Sequence, residues 1–372
     1  MRAHPCRQVL TFIIALAALG PRLASAWQDP GLEAPLSPGL HLGYGAFAPV
    51  APELQPALDE RVAELTAAGM DVARVMVAWS EIEAVPGVFD FAPLDAQLAR
   101  VPAGTRLFLT LAAADVDHYP MPPDLVFTRA APEYPLDTPL VIYRYLTLLD
   151  ELLPRLVADY GLFALSVANE PDNFLDDAPQ EEIPQLVGFT DAVAAHVEER
   201  YPGLTVTVTL SGPGIQFEPG TAAALMAPLE TVAFNWSCID LATFTARGPE
   251  TIPADIALML EAAAGREILL QEVSCPSGYA DRPSLVGATR ESQAAWFAAF
   301  FVAIAAEPQF RAAFVLDLVD WPADLAAETS AFMLVSGFEE YAARYQEHLE
   351  TWGLLTTDLH PKPAWAVLLD AL

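Results

Sequence analysis

The chain has 372 residues, 53% of them hydrophobic, and a formal net charge of −31 at pH 7. This length fits two average domains or one α/β barrel, a fold that commonly needs about 250 residues or more. Such a negative field excludes binding to nucleic acid or to anionic membrane surfaces, because both depend on cationic contacts with phosphate. Lys362 is the only lysine. We therefore expect neither nucleic acid nor a membrane among the partners of the mature protein.

Residues 1–26 have the pattern of a secretory signal peptide. Two arginines precede an eleven-residue apolar stretch from Val9 to Leu19, and Ala24-Ser25-Ala26 matches a small-residue cleavage site. An N-terminal membrane anchor is the alternative, although this stretch is short for a bilayer span. Cleavage would remove three arginines and no acids, which moves the charge from −31 to −34. We predict an exported protein, secreted or periplasmic, with a Pro-rich leader over residues 27–37.

Strand-like and helix-like segments alternate along the rest of the chain. The strand candidates are Leu40–Phe47, Val72–Val77, Arg106–Leu111, Leu162–Ala168, Thr205–Leu210, Ile239–Phe244, Glu267–Gln271 and Ala312–Leu318. The clearest helix candidates are Leu54–Ala68, Leu140–Tyr160, Ile183–Tyr201, Thr221–Val232, Ile256–Ala264 and Gln293–Ala306. Eight such alternations predict an α/β fold, a single-domain (β/α)8 TIM barrel over residues 38–372. A doubly wound open sheet is the alternative, disfavoured because no Gly-x-Gly-x-x-Gly turn follows the first strand.

The cysteines and histidines indicate no metal site. Cys238 and Cys275 remain after signal cleavage, and the predicted strands place them toward opposite ends of the barrel. We therefore favour free thiols over a disulfide, although export would permit one. The six histidines are scattered and no Cys/His cluster has zinc spacing. We predict that the protein uses neither a metal nor a cofactor, and we assign no oligomeric state.

Two of the predicted strands end in a glutamate. Glu170 follows the fourth strand and Glu272 the seventh, and strand alternation would aim both carboxyls into the catalytic end of the barrel. A carboxyl pair at about 5–5.5 Å suits a retaining glycosidase, and a gap of about 6.5–9.5 Å suits an inverting one. Asn169 is placed to contact a sugar hydroxyl beside Glu170. The long third connection, residues 112–139, carries Tyr119 onto the same face.

Val167-Ala168-Asn169-Glu170-Pro171 and Leu270-Gln271-Glu272-Val273 resemble the ends of the fourth and seventh strands in clan A (β/α)8 glycoside hydrolases. That superfamily includes cellulases, mannanases, β-galactosidases and endo-galactanases. Arg74, Trp79-Ser80-Glu81-Ile82-Glu83 and Asp320-Trp321 are similar to further motifs of the same superfamily, and the resemblance spans roughly residues 38–368.

The resemblance implies a role for each matching residue. Glu272 would be the nucleophile and Glu170 the acid/base. Arg74 would hold Glu272 ionised, and Trp321 would form the platform under the sugar ring at the cleaved bond. Trp79 and Tyr119 are candidates for further stacking. The implied function is a retaining glycosidase acting on a β-linked oligo- or polysaccharide.

Two features depart from the superfamily pattern. After the predicted sixth strand, the stretch from Phe244 to Arg247 lacks the tyrosine that contacts the nucleophile in these enzymes. The third strand ends in three alanines, Ala112–Ala114, without a polar or aromatic sugar contact. The alternative function is a catalytically inactive barrel that binds glycan or a protein partner in the same cleft. An unrelated hydrolase on this fold lacks support, because no Gly-x-Ser-x-Gly elbow or metal-ligand set is present.

Overall fold

The computed structural model describes residues 39–116, 118–128, 131–172, 182–240, 243–281, 284–335 and 339–372. These residues all belong to one compact unit. The predicted signal peptide, residues 1–26, and the leader, residues 27–37, lie outside the described residues. In the part of the chain that is described, no helix combines the length and the apolar character needed to cross a membrane.

Eight parallel strands close into a barrel in which each strand pairs with the next and the last pairs with the first. The strands are β1 (His41–Gly45), β2 (Val72–Ala78), β3 (Arg106–Asp115), β4 (Ala164–Asn169), β5 (Thr205–Ser211), β6 (Thr231–Ser237), β7 (Glu267–Ser274) and β8 (Phe310–Val315). Their buried runs of Val, Leu, Phe and Ala suit strands covered on both faces. The predicted (β/α)8 barrel is confirmed.

Twelve α-helices lie in the described part of the chain. They are α1 (Gln55–Ala68), α2 (Trp79–Ile82), α3 (Ala92–Leu98), α4 (Pro139–Tyr160), α5 (Glu182–Arg200), α6 (Gly212–Phe217), α7 (Pro219–Met226), α8 (Ile252–Ala263), α9 (Arg290–Ala305), α10 (Ala323–Val335), α11 (Glu339–Thr351) and α12 (Pro363–Ala371). Two short hairpins follow β3 and β6, pairing Val126–Thr128 with Ala131–Pro132 and Ile239–Asp240 with Thr245–Ala246.

Local sequence signals set several of these boundaries. Helix α4 ends at Tyr160 and is capped by Gly161, whose φ of 56° is the left-handed conformation that glycine adopts without a steric cost. At the start of α9, Thr289 and Ser292 exchange side-chain hydrogen bonds with each other's backbone N–H groups, at 3.0 and 2.8 Å. This reciprocal cap satisfies two N–H groups that a helix N-terminus otherwise leaves without partners.

The sixth strand is not where the sequence predicted it. β6 is Thr231–Ser237, whereas Ile239–Phe244 was predicted as the strand and Thr221–Val232 as the preceding helix. Helix α7 ends at Met226, two residues before Pro228, because a proline disfavours helical geometry at the residue before it. β6 is buried almost throughout, so it shows no alternation of polar and apolar residues.

The observed position of β6 also changes the predicted state of the two cysteines. Cys238 directly follows β6 and Cys275 directly follows β7, so both lie at the same end of two neighbouring strands. They form a disulfide with a Cα–Cα distance of 5.0 Å. The prediction of free thiols was therefore wrong, because it rested on a sixth strand placed about eight residues too late in the sequence.

The barrel interior is apolar at one level and polar at another. An apolar cluster includes Phe108 from β3, Phe314 from β8 and Leu269 from β7, together with small residues of other strands. A separate group of buried polar side chains includes Thr110, Ser166, Thr209 and Gln271. Thr110 on β3 donates to Gln271 on β7 at 2.5 Å, and these strands lie on opposite sides of the barrel. The polar layer therefore crosses the barrel.

Candidate active site

The two predicted glutamates emerge at the carboxyl ends of β4 and β7. Glu170 directly follows β4 and Glu272 lies near the end of β7. Both strands are irregular there, since the pairing register shifts between Leu270 and Glu272, and Glu170 has a φ of 49°. Bulges and positive φ values in non-glycine residues redirect side chains and concentrate at functional sites.

This irregularity changes which side chains face inward. Simple alternation puts Gln271 and Glu272 on opposite faces of β7. In the structure Gln271 hydrogen-bonds Thr209 on β5 at 2.7 Å, while Glu272 contacts Arg74 on β2. Both partners belong to strands that do not neighbour β7, so both side chains enter the barrel. The bulge allows β7 to contribute two adjacent residues to the site.

Glu272 is held by a buried arginine. Arg74 Nη1 donates to Glu272 Oε1 at 2.9 Å, and Arg74 Nη2 donates to the carbonyl of Leu316 at 3.2 Å. A Cβ on Gly45 would lie 2.1 Å from the carbonyl oxygen of Leu316 and 2.8 Å from Arg74 Nη2, so β1 needs glycine beside this hydrogen-bonded pair. Burial raises the pKa of Glu272, and the charge of Arg74 opposes that rise. The guanidinium therefore favours the ionised form of Glu272.

Glu170 lies in different surroundings. Asn235 Nδ2 donates to Glu170 Oε1 at 2.8 Å, and the Glu170 backbone N–H donates to the carbonyl of Thr209 at 2.7 Å. The pKa of Glu170 is raised to about 8, first by burial and then by the negative charges of Glu272 and Asp172. At neutral pH the protonated form therefore predominates, as a general acid requires.

Amide side chains connect the two glutamates. Asn169 Oδ1 accepts from Gln271 Nε2 at 2.7 Å and from Asn235 Nδ2 at 3.0 Å, while Asn169 Nδ2 donates to Asp115 Oδ1 at 2.8 Å. Asn169 is thus fixed by three neighbouring groups, which leaves the second N–H of its amide for a ligand. The predicted contact between Asn169 and a sugar stays a prediction.

The β8 side of the site carries an aromatic residue and a third carboxyl. Trp321 is partly buried, and its Nε1 donates to Asp317 Oδ2 at 2.8 Å. Burial raises the pKa of Asp317 to about 8, against the opposing charge of Arg74 and the hydrogen bond from Trp321. Trp321 also makes an edge contact with Phe47, with ring centroids 5.9 Å apart. Its predicted role as a sugar platform stays a prediction.

Helix α11 brings a tyrosine to the same region. Burial raises the pKa of Tyr345, and the charges of Glu170 and Glu272 raise it further. Tyr345 also contacts Phe244, with ring centroids 5.9 Å apart. Arg247, at the end of the Phe244–Arg247 stretch that lacks a tyrosine, pairs with Asp255 at 2.7 Å.

Two predicted stacking residues do not present a ring to the site. Trp79 is fully buried, its Nε1 donates to Glu83 Oε2 at 2.8 Å, and its ring packs against Tyr145. Tyr119 is 3% exposed and its hydroxyl donates to Glu182 at 2.5 Å. Both belong to the packed interior in this structure, so the predictions that they stack on sugar rings were wrong.

Sequence reasoning missed four residues of this site. They are Asp115, Asn235, Asp317 and Tyr345. Asn235 was hidden by the misplaced sixth strand, and Tyr345 approaches from a helix that follows the last strand. Asp115 and Asp317, at and just beyond the ends of β3 and β8, had the same signal as the glutamates, a carboxyl at the end of a buried strand. Among the described residues, no group of three or more His, Cys, Asp or Glu side chains could hold a metal ion.

The fold matches solved structures over about nine-tenths of the chain. An exo-β-1,4-mannosidase from Opitutaceae bacterium strain TAV5 has 17% identity and a TM-score of 0.62, over 92% of this chain and 61% of that one. A GH5_18 protein from Streptomyces cattleya in complex with GlcNAc has 19% identity and a TM-score of 0.64, over 91% and 80%. A family 39 glycoside hydrolase from Bacteroides cellulosilyticus has 13% identity and a TM-score of 0.56, over 89% and 62%.

These matches confirm the resemblance to clan A glycoside hydrolases at the level of the fold. This chain spans about three fifths of the length of the mannosidase and of the family 39 enzyme. No family model matches the sequence, and no curated protein matches it.

Proposed function

We propose that the protein is a retaining glycoside hydrolase that cleaves a β-linked oligo- or polysaccharide outside the cytoplasm, with Glu272 as nucleophile and Glu170 as acid/base. The observation that carries this proposal is the contrast between the two carboxyls. Arg74 lies 2.9 Å from Glu272 and favours its ionised form, whereas Glu170 has a pKa of about 8 and favours its protonated form. Two carboxyls kept in different protonation states are what double displacement requires.

In the first step an oxygen of Glu272 attacks the anomeric carbon and the glycosidic C–O bond breaks. Glu170 transfers its proton to the departing oxygen. Glu272 loses its negative charge on becoming an ester, and that charge is the second largest cause of the raised pKa of Glu170. The pKa of Glu170 therefore drops in the intermediate, and Glu170 becomes a base. It then takes a proton from water, which attacks the same carbon and releases Glu272.

The polar layer of the barrel supports this division of roles. Asn235 contacts both Glu170 and Asn169, and Gln271 links Asn169 to β5 and β7. Side chains locked in this way keep the two carboxyls in fixed positions, so little reorganisation is needed during reaction.

The alternative is a barrel that binds glycan without cleaving it. Its main support was the missing tyrosine after the predicted sixth strand. The tyrosine was expected within Phe244–Arg247, but this stretch lies beyond the observed strand β6 and does not correspond to the strand end. The alternative therefore keeps only the second departure, the alanines Ala112–Ala114 in β3, and becomes an outcome of the test.

The test is hydrolysis of a panel of β-glycans and aryl β-glycosides by the wild type and by the Glu170→Ala and Glu272→Ala variants. Glu267→Gln is a matched control, because Glu267 is half exposed and lies at the opposite end of β7. We expect turnover by the wild type and the control, and loss in both alanine variants. Activity that survives both changes would contradict the site. Glycan binding without turnover by the wild type would favour the alternative.

A further inference from the structure

A cavity of about 760 Å³ lies on the β7 and β8 side of the barrel. Its walls come from segments that follow the carboxyl ends of these strands, among them Ser277–Ala280 after β7 and Asp320–Trp321 after β8. Neither Glu170 nor Glu272 lines it. Its volume is typical of small-molecule sites, which span about 300–1,000 Å³.

Trp321 connects this cavity to the glutamates. The residue lines the cavity, and its indole N–H donates to Asp317 at 2.8 Å. The carboxyl of Asp317 interacts electrostatically with both Arg74 and Glu272. Trp321 therefore lines the cavity on one side and, through Asp317, is linked to the charged groups around Glu272.

One wall of the cavity is fixed by the only lysine of the chain. Lys362 is buried, and its Nζ lies 2.7 Å from Asp320 Oδ1 and 2.9 Å from Ser277 Oγ. It also donates to the carbonyls of Thr351 and Gly353, at 3.0 and 2.8 Å. A single ammonium thus ties together the loop after β7, the loop after β8, the end of α11 and the C-terminal segment.

A second buried charge contacts described residues of the segment after β7. Glu347 is fully buried on α11 and accepts from the backbone N–H groups of Tyr279, Ser284 and Leu285, at 2.7, 2.5 and 2.8 Å. The disulfide at Cys275 anchors the start of the same loop. Burying two charges and a disulfide around one loop gives the cavity a preformed wall, which lowers the entropic cost of binding a ligand.

The lining has the chemistry of a site for neutral, hydroxyl-rich ligands. It is rich in hydroxyl side chains, and one of these, on Thr357, is exposed. Arg290, the first residue of α9, is exposed and makes no hydrogen bond within the described residues. Glu291 and Glu350 also line the cavity and together outweigh the single positive charge of Arg290, which disfavours an anionic ligand. Hydroxyl donors and acceptors beside one indole ring suit a pyranose.

The position of the cavity indicates which part of a glycan it would hold. β8 lies directly opposite β4 in the eight-stranded barrel. The leaving group must lie beside Glu170, at the end of β4, because Glu170 protonates it. Trp321 and the cavity lie on the opposite side, beyond Glu272. The cavity therefore lies on the side of the barrel where the sugars on the non-reducing side of the cleaved bond would lie.

We propose that this cavity is a distal sugar subsite, which binds a neutral sugar on the non-reducing side of the cleaved bond through Arg290, Thr357 and Trp321. The proposal rests on the proposed glycosidase function. It implies that the preferred substrates extend at least one sugar beyond the residue that is cleaved, so that monosaccharide glycosides are poor substrates.

The test compares aryl β-glycosides with one leaving group and one, two or three sugars, in gluco, manno and galacto series. For the wild type we expect kcat/KM to rise at least about tenfold with chain length in one series, equivalent to about 1.4 kcal/mol. Arg290→Ala, and Thr357→Trp, which fills the cavity, should each remove most of that rise. Arg61→Ala is the control, because Arg61 pairs with Glu64 on α1, outside the cavity.

Two kinetic results would overturn the subsite. One is a kcat/KM that is flat with chain length in every active series. Another is a rise that survives both cavity variants. If the wild type hydrolyses no glycoside, the glycosidase assignment fails instead, and calorimetric titration of unsubstituted oligosaccharides decides the subsite separately. Tighter binding of longer oligosaccharides that Arg290→Ala abolishes would keep the subsite, and equal or absent binding would remove it.

Discussion

Replacing Glu170 with glutamine tests the assignment of the acid/base through both rate and stability. Glutamine keeps an oxygen that can accept the 2.8 Å hydrogen bond from Asn235, but it cannot transfer a proton. We expect kcat/KM on glycans to drop by about 10² to 10⁴-fold, the usual contribution of general acid–base catalysis. Aryl glycosides with good leaving groups should lose less, because their departure needs little protonation.

The pH dependence has a definite sign. Wild-type activity on glycans should be lost as the pH rises through about 8, because Glu170 then gives up the proton that the leaving group needs. The activity of Glu170→Gln on activated aryl glycosides should lack this alkaline limb. On the acid side, activity should be lost when Glu272 becomes protonated, at a pH above the usual range for glutamate.

The same raised pKa predicts a change in stability. The folded protein holds the Glu170 proton more tightly than the unfolded chain, so the resulting stabilisation is full below about pH 4 and is lost as the pH rises through about 8. A rise from 4.5 to about 8 corresponds to about 4 to 5 kcal/mol at 1.36 kcal/mol per pKa unit. Glu170 is only partly buried, and screening by solvent reduces this to about 2 to 4 kcal/mol.

The assay is chemical denaturation of the wild type, Glu170→Gln and the exposed control Glu267→Gln at pH 5 and pH 9. From pH 5 to pH 9 the free energy of unfolding of the wild type should decrease by about 2 to 4 kcal/mol more than that of Glu170→Gln. Glu267→Gln should follow the wild type. Parallel stability curves, together with an alkaline limb that persists in Glu170→Gln, would refute this account of Glu170.

Three further substitutions test other parts of the site. Arg74→Met removes the cation that opposes the burial of Glu272, so the acid limb of kcat/KM should move to higher pH and activity at pH 6 should drop at least about tenfold; an unmoved acid limb would argue against the pairing. Asn235→Ala removes a hydrogen bond that lowers the pKa of Glu170, so the alkaline limb should move upward while kcat/KM drops about tenfold; a limb that moves downward would contradict this. Gly214→Ala would place a Cβ 1.5 Å from Asp172 Oδ2, and we expect a loss of about 1 to 3 kcal/mol in thermal denaturation, whereas an unchanged Tm would show that Asp172 can move away.

Much of the barrel could be predicted from the sequence because buried parallel strands are short apolar runs separated by amphipathic helices. Every predicted strand except the sixth overlaps an observed strand of the barrel. The placement of Glu170 and Glu272 at strand ends also follows from this pattern. The pairing of Arg74 with Glu272 was expected from the resemblance, and the structure shows it at 2.9 Å.

The rest depended on features that local patterns do not encode. β6 is buried on both faces and contains the polar Asn235, so its sequence lacked both alternation and an unbroken apolar run. The bulge near Gln271 broke the alternation on which side-chain directions were predicted. Trp79 was a candidate for stacking on a sugar ring, but tertiary packing against Tyr145 buries it. A one-dimensional pattern shows neither the bulge nor the packing partner.

The most direct test of the account is to trap the glycosyl-enzyme intermediate with a 2-deoxy-2-fluoro β-glycoside that carries an activated leaving group, and to locate the sugar by peptide mass spectrometry. A retaining mechanism with Glu272 as nucleophile predicts one sugar per chain, attached to the peptide that contains Glu272, and none in Glu272→Ala. A sugar attached to Glu170 or to any other residue would contradict the assignment, as would inverted product from an enzyme that forms no adduct.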